Sequence, residues 1–209
     1  MTTYSVLLAG RIEPTPRLRA LVAGTRTIAA DRGIEHALPL GLEPDLWVGD
    51  FDSARGDFPG VSREEHPARK DVSDGELAVA AARKRGATRL VVVGPFGGRT
   101  DHATLHLLLA FRWHAEGLAP ILSDGREEAW VVDEDGAAPD WPQGTTFSVL
   151  AFDDVRVSLR GCDWPLDGAA VRTGSTLTLS NVSRDGLEAR VEGGRALLVA
   201  QVGGAQENE

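Results

Sequence analysis

Aspartates 50 and 52 close the stretch PDLWVGDFDS (residues 44–53), directly after the apolar run Leu46, Trp47, Val48. In an extended backbone, residues i and i+2 point to the same side, roughly 6.5–7 Å apart. Two ionised carboxylates at that spacing repel by about 2.5 kcal/mol at an effective dielectric of about 20. Either a cation balances them or the loop is wet. Similar chemistry recurs along the chain. KDVSDGE (70–76) carries Lys70, Asp71 and Asp74, GPFGGRTDH (94–102) carries Gly97, Gly98, Arg99 and Asp101, and TRTIAAD ends at Asp31. Crowded carboxylates are hard oxygen donors that select magnesium or calcium over zinc. Magnesium commonly takes one or two carboxylates plus substrate phosphates. Lys70, Arg99 and the open backbone at Gly97 and Gly98 suit phosphate oxygens.

Each piece also has a plainer reading. Asp74 and Asp101 favour helix N-termini by charge alone. GPFGG serves as a turn after a strand; it is neither a Walker loop, since no GK[ST] follows, nor a GxGxxG. An isolated Asp-x-Asp is often a surface loop. His102 and His106 stand four residues apart, as a metal clamp would, but no third ligand accompanies them, so His106 is read as packing.

These residues need elements to hold them. The first 125 residues alternate strand-like and helix-like text: YSVLLAG, TRTIAAD, LWVGD, RLVVVGPFGG and APILSDG as strands, with helices over PRLRALVAG, SDGELAVAAARKRG and DHATLHLLLAFRWHAEG. Ser73 followed three residues later by Glu76 is a capping box, and Gly24, Gly86 and Gly117 stop the helices. The uninterrupted apolar run Leu90–Val93 suits a strand covered on both faces. This alternation predicts an α/β domain with a three-layer, parallel-sheet, Rossmann-like arrangement over 1–125, whose ligands gather outside the carboxyl ends of the strands. Asp31, Asp50, Asp52, Arg99 and Asp101 all fall at such ends. Beyond Asp124 the helical text stops. EEAWVVDE, TTFSVLAF, VRVSLRG, STLTLSN, LEARVEGG and RALLVAQV are short alternating runs, predicting an all-β domain over 126–209. The tail GGAQENE reads as disordered.

Bulk composition narrows the classes. The 209 residues are 42% hydrophobic and 25% charged, ordinary for a globular chain. Lys plus Arg total 22 against 31 Asp plus Glu, a net −9, which argues against nucleic acid or an anionic membrane as partner. One cysteine, Cys162, allows no internal disulfide and suits a reducing cytosol, hence a cytoplasmic expectation. The apolar run Val6–Ala9 is too short for a signal segment or a membrane span.

Taken in order, ADRG (30–33), PDLWVGDFDS (44–53), KDVSDGE (70–76), GGRTDH (97–102), GCDWPL (161–166) and LSN (179–181) resemble the motifs of the thiamin pyrophosphokinase family, and do so through nearly the whole chain. Arg32 and Ser73 depart from its pattern, where Gly and Thr are usual. The resemblance implies an α/β catalytic domain that binds ATP and magnesium, followed by a β-sandwich, in a homodimer with thiamine near the interface. It implies transfer of diphosphate from ATP to thiamine, with release of AMP. Asp50, Asp52, Asp74 and Asp101 are then the expected metal-holding and catalytic carboxylates, with Asp74 or Asp101 as candidate proton acceptor. Asp31, Lys70, Gly97, Gly98 and Arg99 are expected on the nucleotide. Asp71, Ser180 and Asn181 are expected on the thiamine side, with capping as the alternative for Asp71. Trp164 is read as an anchor of the β-domain core, and no aromatic is assigned to cover the thiamine ring. Three alternatives stay open: a pyrophosphokinase of another alcohol such as a pterin, a haloacid-dehalogenase-like phosphatase using Asp50 as nucleophile, and a non-catalytic magnesium–nucleotide sensor.

Overall fold

The computed structural model describes residues 1–51, 58–67 and 71–203. Asp52, Lys70 and the segment 204–209, which includes most of the tail expected to be disordered, lie outside the described residues. The chain divides into two compact units, Met1–Gly125 and Arg126–Glu209.

Among the described residues of the first unit, six strands stand in the order β4-β3-β2-β1-β5-β6: β1 Thr3–Leu7, β2 Arg26–Ala30, β3 Leu46–Gly49, β4 Ser62–Glu65, β5 Arg89–Val93 and β6 Ala119–Ser123. Every pairing among them is parallel. The chain winds outward one way from β1 through β4 and the other way from β5 to β6. The order therefore reverses between β1 and β5, which is where open parallel sheets bind ligands. Helices α1 Pro16–Val22, α2 Ala37–Leu40, α3 Asp74–Lys84 and α4 Thr100–Ala115 fill the crossovers, with a short 3-10 helix over Asp31–His36. Leu18, Val22, Ile34, Ala37 and Leu40 bury against Leu7, Ala29, Trp47, Val91 and Val93. By strand alternation, Val6, Ile28, Leu90 and Val92 point to the opposite face, and α3 packs on β1, β2 and β3. Both faces of the inner strands are thereby dry, which accounts for their unbroken apolar text.

Local signals start α3 as expected. Ser73 Oγ accepts from the Glu76 backbone N–H at 3.2 Å, and Glu76 Oε2 accepts from the Ser73 N–H at 3.2 Å. The edge strand β4 was not expected. Its sequence, SREE, is exposed and charged, so it lacks a hydrophobic signature, and charge on an edge also discourages pairing with other chains.

The second unit contains β7 Glu127–Val132, β8 Thr146–Ala151, β9 Val155–Cys162, β10 Leu166–Val171, β11 Asn181–Glu192 and β12 Ala196–Gln201. They run in the order β7-β12-β8-β11-β9-β10 with antiparallel pairing throughout. Over the whole chain antiparallel pairing is the larger share, so the fold is mixed α/β rather than a parallel-sheet protein. The long β11 pairs with β8 at Asn181 and Val182 and with β9 from Ser183 onward.

Two expectations for this unit are corrected. The stretch STLTLSN (175–181) is not a strand before Asn181. Thr178 is pinned to Val149 instead, its hydroxyl donating to the Val149 carbonyl at 2.7 Å and its own carbonyl accepting from the Val149 N–H at 3.0 Å. Ser180 then turns the chain with φ 58°. The strand that does form, β10, was hidden by Asp167 and Gly168, which interrupt the apolar alternation at a register shift between Leu166 and Ala169. Trp164 is no core anchor, being 60% exposed. The core is built instead around Trp141, Phe147, Val157 and Leu198. Among the described residues, no helix is long and apolar enough to cross a membrane.

Candidate active site

The switch between β1 and β5 holds a cleft of about 290 Å³. Leu8, Ala9 and Gly10 follow β1 into it, Asp31 follows β2, and Gly94, Pro95 and Phe96 follow β5. Ser73, Asp74 and Gly75 from the start of α3, and Gly98, Arg99 and His102 from the start of α4, complete its wall. Two helix N-termini thus face one cavity, a setting in which backbone N–H groups and helix dipoles favour anions.

The floor is fixed by close backbone approach. A Cβ at Gly10 would meet the Gly94 and Phe96 carbonyl oxygens at 2.3 and 2.4 Å, so only glycine lets these two loops touch. His36 donates from Nε2 to the Gly10 carbonyl at 2.8 Å, and burial pushes its pKa below the ordinary value, keeping the ring neutral. On the β2 side, Asp31 takes a left-handed φ of 46° while its carbonyl accepts from the Trp47 indole N–H at 2.9 Å. A non-glycine residue held in this region costs on the order of 1 kcal/mol and concentrates at functional sites.

Of the expected residues, Asp31, Asp74, Gly98 and Arg99 line this one cavity. Asp50 follows β3 immediately after Gly49, and an added Cβ on Gly49 would lie 3.3 Å from the Asp31 Cα, so the β2 and β3 ends are in direct contact. β3 ends at Gly49 and Phe51 has φ 62°, its ring packed edge-on against Trp47 with centroids 4.6 Å apart; the expected spacing of Asp50 and Asp52 falls outside the described residues. Asp101 stands outside the cavity lining, 61% exposed, in a two-pronged pair with Arg99 (Nε–Oδ1 3.1 Å, Nη2–Oδ2 2.5 Å). That hydrogen-bonded guanidinium holds the Asp101 carboxyl below the usual range. Gly97 turns with φ 72° beside Arg11, and Asp71 is exposed away from the lining. Arg32 pairs with Glu35 at 3.3 Å.

Ser180 and Asn181 belong to the second unit. Asn181 is buried, its Oδ1 accepting from the Trp164 and Val182 N–H groups at 3.2 and 2.8 Å and its Nδ2 donating to the Trp164 carbonyl at 2.8 Å. The amide therefore clamps the backbone beneath an exposed indole. Sequence reasoning missed Gly10, His36 and the cleft position of His106, because each acts through a partner distant in the chain.

Among the described residues, no three His, Cys, Asp or Glu side chains group as a metal centre. A magnesium ion does not need one, because one or two carboxylates and substrate phosphates suffice. Of the expected metal holders, the hard-oxygen donors Asp50 at the β3 end and Asp74 at the start of α3 fit that requirement.

These features define a mixed α/β protein with a cleft, lined by Asp31, Asp74 and Arg99 among others, at the carboxyl ends of its parallel strands. Residues 20–122 match the family model described as thiamin pyrophosphokinase, catalytic domain. The thiamine pyrophosphokinase of Bacillus subtilis (strain 168) is 25% identical over 191 residues, covering 87% of this chain and 89% of that protein. Among solved structures, thiamine pyrophosphokinase from Bacillus subtilis superposes with a TM-score of 0.83 at 21% identity, over 96% of this chain and 99% of the other. Thiamin pyrophosphokinase from Geobacillus thermodenitrificans gives 0.79 at 22%, over 99% of both, and that from Candida albicans gives 0.76 at 11%, over 96% and 89%. Residues 20–122 of the chain are thus similar to the thiamin pyrophosphokinase catalytic domain, and nearly the whole chain shares the fold of the solved thiamin pyrophosphokinases.

Proposed function

We propose that the protein is a thiamine diphosphokinase, transferring the terminal diphosphate of ATP to thiamine to give thiamine diphosphate and AMP. The observation that carries this reading is the single cavity, lined by Asp31, Asp74, Gly98 and Arg99, at the strand-order switch of a chain whose residues 20–122 match this family's catalytic-domain model. The hydroxyethyl oxygen of thiamine attacks the β-phosphorus of ATP. The new O–P bond forms as the bond from that phosphorus to the α,β-bridging oxygen breaks, and AMP leaves with the electron pair. A carboxylate, Asp74 or Asp101, takes the alcohol proton. Such a reaction depends chiefly on positioning and on neutralising phosphate charge. Arg99 and the N-termini of α3 and α4 serve that end, with Gly97 and Gly98 offering backbone N–H groups.

Magnesium, when bound, supplies electrostatic neutralisation of the phosphate oxygens, with Asp50, Asp74 and Asp101 as its candidate holders. Asp52 and Lys70, as metal holder and phosphate partner, remain part of the proposal on sequence grounds. We read the N-terminal unit as a Rossmann-like catalytic domain and the C-terminal unit as a β-sandwich that binds thiamine and forms a homodimer. There, Ser180, Asn181 and the exposed Trp164 are candidates for the thiamine side; Asp71 stays a thiamine candidate on sequence grounds. The cysteine-poor composition suits a cytoplasmic enzyme.

Incubation with Mg-ATP and thiamine, beside a panel of other primary alcohols including a pterin alcohol, tests the reading by assay of thiamine diphosphate and AMP. Asp74→Asn and Asp52→Asn should each abolish turnover with the melting transition near wild type. Product from another alcohol alone, a trapped phosphate on Asp50, or ATP binding with no AMP release would each replace the proposal with a named rival.

A further inference from the structure

One titratable side chain on the cleft wall has no part in the transfer described above. His106 lies on α4 seven residues beyond Arg99, about 10 Å along the helix axis at the standard rise. Its Nδ1 is 2.8 Å from the carbonyl oxygen of Pro95. A carbonyl only accepts, so Nδ1 carries the proton, and the neutral ring presents Nε2 as a lone-pair acceptor. Burial pushes the His106 pKa below the ordinary value, and the neighbouring His102 acts in the same direction. The neutral tautomer therefore prevails near pH 7. Nε2 has no hydrogen-bond partner among the described residues. Nor is any buried side-chain nitrogen or oxygen there left unpartnered. Nε2 is then an accessible atom of a side chain that lines the cavity. The same cavity is lined by the apolar Leu8, Phe96 and Ala103, and the His102 ring stands 6.4 Å from that of His106.

A fixed acceptor in a cavity that also offers apolar side chains, about 10 Å from the phosphate-facing helix end, suits the edge of a flat heterocycle. A hydroxyl both donates and accepts, so it would not be selected by an acceptor held in one tautomer. We propose that His106 is a specificity-determining residue for the nucleotide: its Nε2 accepts a hydrogen bond from the exocyclic amino group of a 6-aminopurine, and it opposes the carbonyl oxygen of a 6-oxopurine. This rests on the nucleotide reading of the cleft and adds which base that cleft takes.

The test is calorimetric binding of Mg-ATP, Mg-GTP and the magnesium complex of purine riboside triphosphate, which lacks the 6-amino group, to the full chain and to His106→Phe. One hydrogen bond is worth on the order of tenfold in affinity. Wild type should hold ATP roughly tenfold tighter than the deaminated analogue and tighter still than GTP. His106→Phe should lose roughly that factor for ATP alone, so that ATP and the analogue bind alike. Equal binding of all three nucleotides to wild type overturns the assignment and leaves diphosphate transfer standing. So does a folded His106→Phe that keeps the preference. Absence of ATP binding to wild type overturns the nucleotide reading itself. The wild-type comparison needs no variant, so a His106→Phe that fails to fold does not shield the proposal.

Discussion

Adding one methyl group at Gly10 should loosen the floor of the cleft. The new Cβ would sit 2.3 Å from the Gly94 carbonyl oxygen and 2.4 Å from that of Phe96. Ordinary contact begins near 3.4 Å, so the two loops must part by about 1 Å. Neither can yield freely. The Gly94 N–H donates to the Ser123 carbonyl at 3.0 Å, the Leu8 N–H to the Val93 carbonyl at 2.8 Å, and the Gly10 carbonyl accepts from His36 at 2.8 Å. Overpacking of this kind costs ~1–3 kcal/mol, and two clashing backbone oxygens argue for the upper end. At roughly 2–4 °C per kcal/mol for a chain of this size, Gly10→Ala should lower the melting temperature by ~6–12 °C. A displacement of about 1 Å beside the reacting groups should also reduce kcat by ~100-fold. Gly98→Ala is the control for the fold: its Cβ meets nothing within 4 Å and its φ is not left-handed, so its melting point should stay within ~2 °C of wild type. Scanning calorimetry and steady-state turnover read both effects. A Gly10→Ala protein that melts with the control and turns over normally would refute the close-approach argument.

Two further outcomes concern stability. Glu128 is fully buried, its Oε2 accepting from the indole N–H groups of Trp141 at 2.8 Å and Trp130 at 3.2 Å. Glu128→Leu should destabilise the chain by ~1–3 kcal/mol, chiefly through the buried Trp141 indole N–H left without its acceptor. Glu128→Gln, which keeps an acceptor, should cost less than half of that, as read by urea unfolding; equal losses would discredit the hydrogen-bond account. The second outcome is a pH profile. Burial lowers the folded-state pKa of His36 and His106 below 6.5, so the unfolded chain binds more protons just below that pH, and stability should fall as pH drops from 6.5. Asp153, held by hydrogen bonds from Arg195 at about 2, adds a separate loss between its unfolded value of 3.8 and about pH 2. Substituting His36 by Gln should flatten the upper part of the profile and leave the acid part unchanged.

Much of the candidate site was legible because its residues follow strand ends or begin helices. Asp31, Asp74 and Arg99 are placed by such local text, and the structure gathers them at one cavity. Asp101 shows the limit. Its position at the start of α4 was readable, yet two residues away stands Arg99, and their pairing directs Asp101 to the rim. Trp164 and the stretch 175–181 were misjudged for a similar reason: an aromatic or an alternating run announces a preference, while the clamp by Asn181 and the tether of Thr178 to Val149 decide the outcome.

Sequence alone determined what depends on a few neighbouring residues: the capping box that starts α3, the glycines that stop helices, the apolar runs of the inner strands and the supply of carboxylates. Capping and turn energies act within one or two helical turns, so a linear reading captures them. Tertiary structure decided the order reversal between β1 and β5, the contact of Gly10 with Gly94 and Phe96, and the tautomer of His106. Each of these joins groups separated by tens of residues, and only closure of the sheet brings their short-range forces into play.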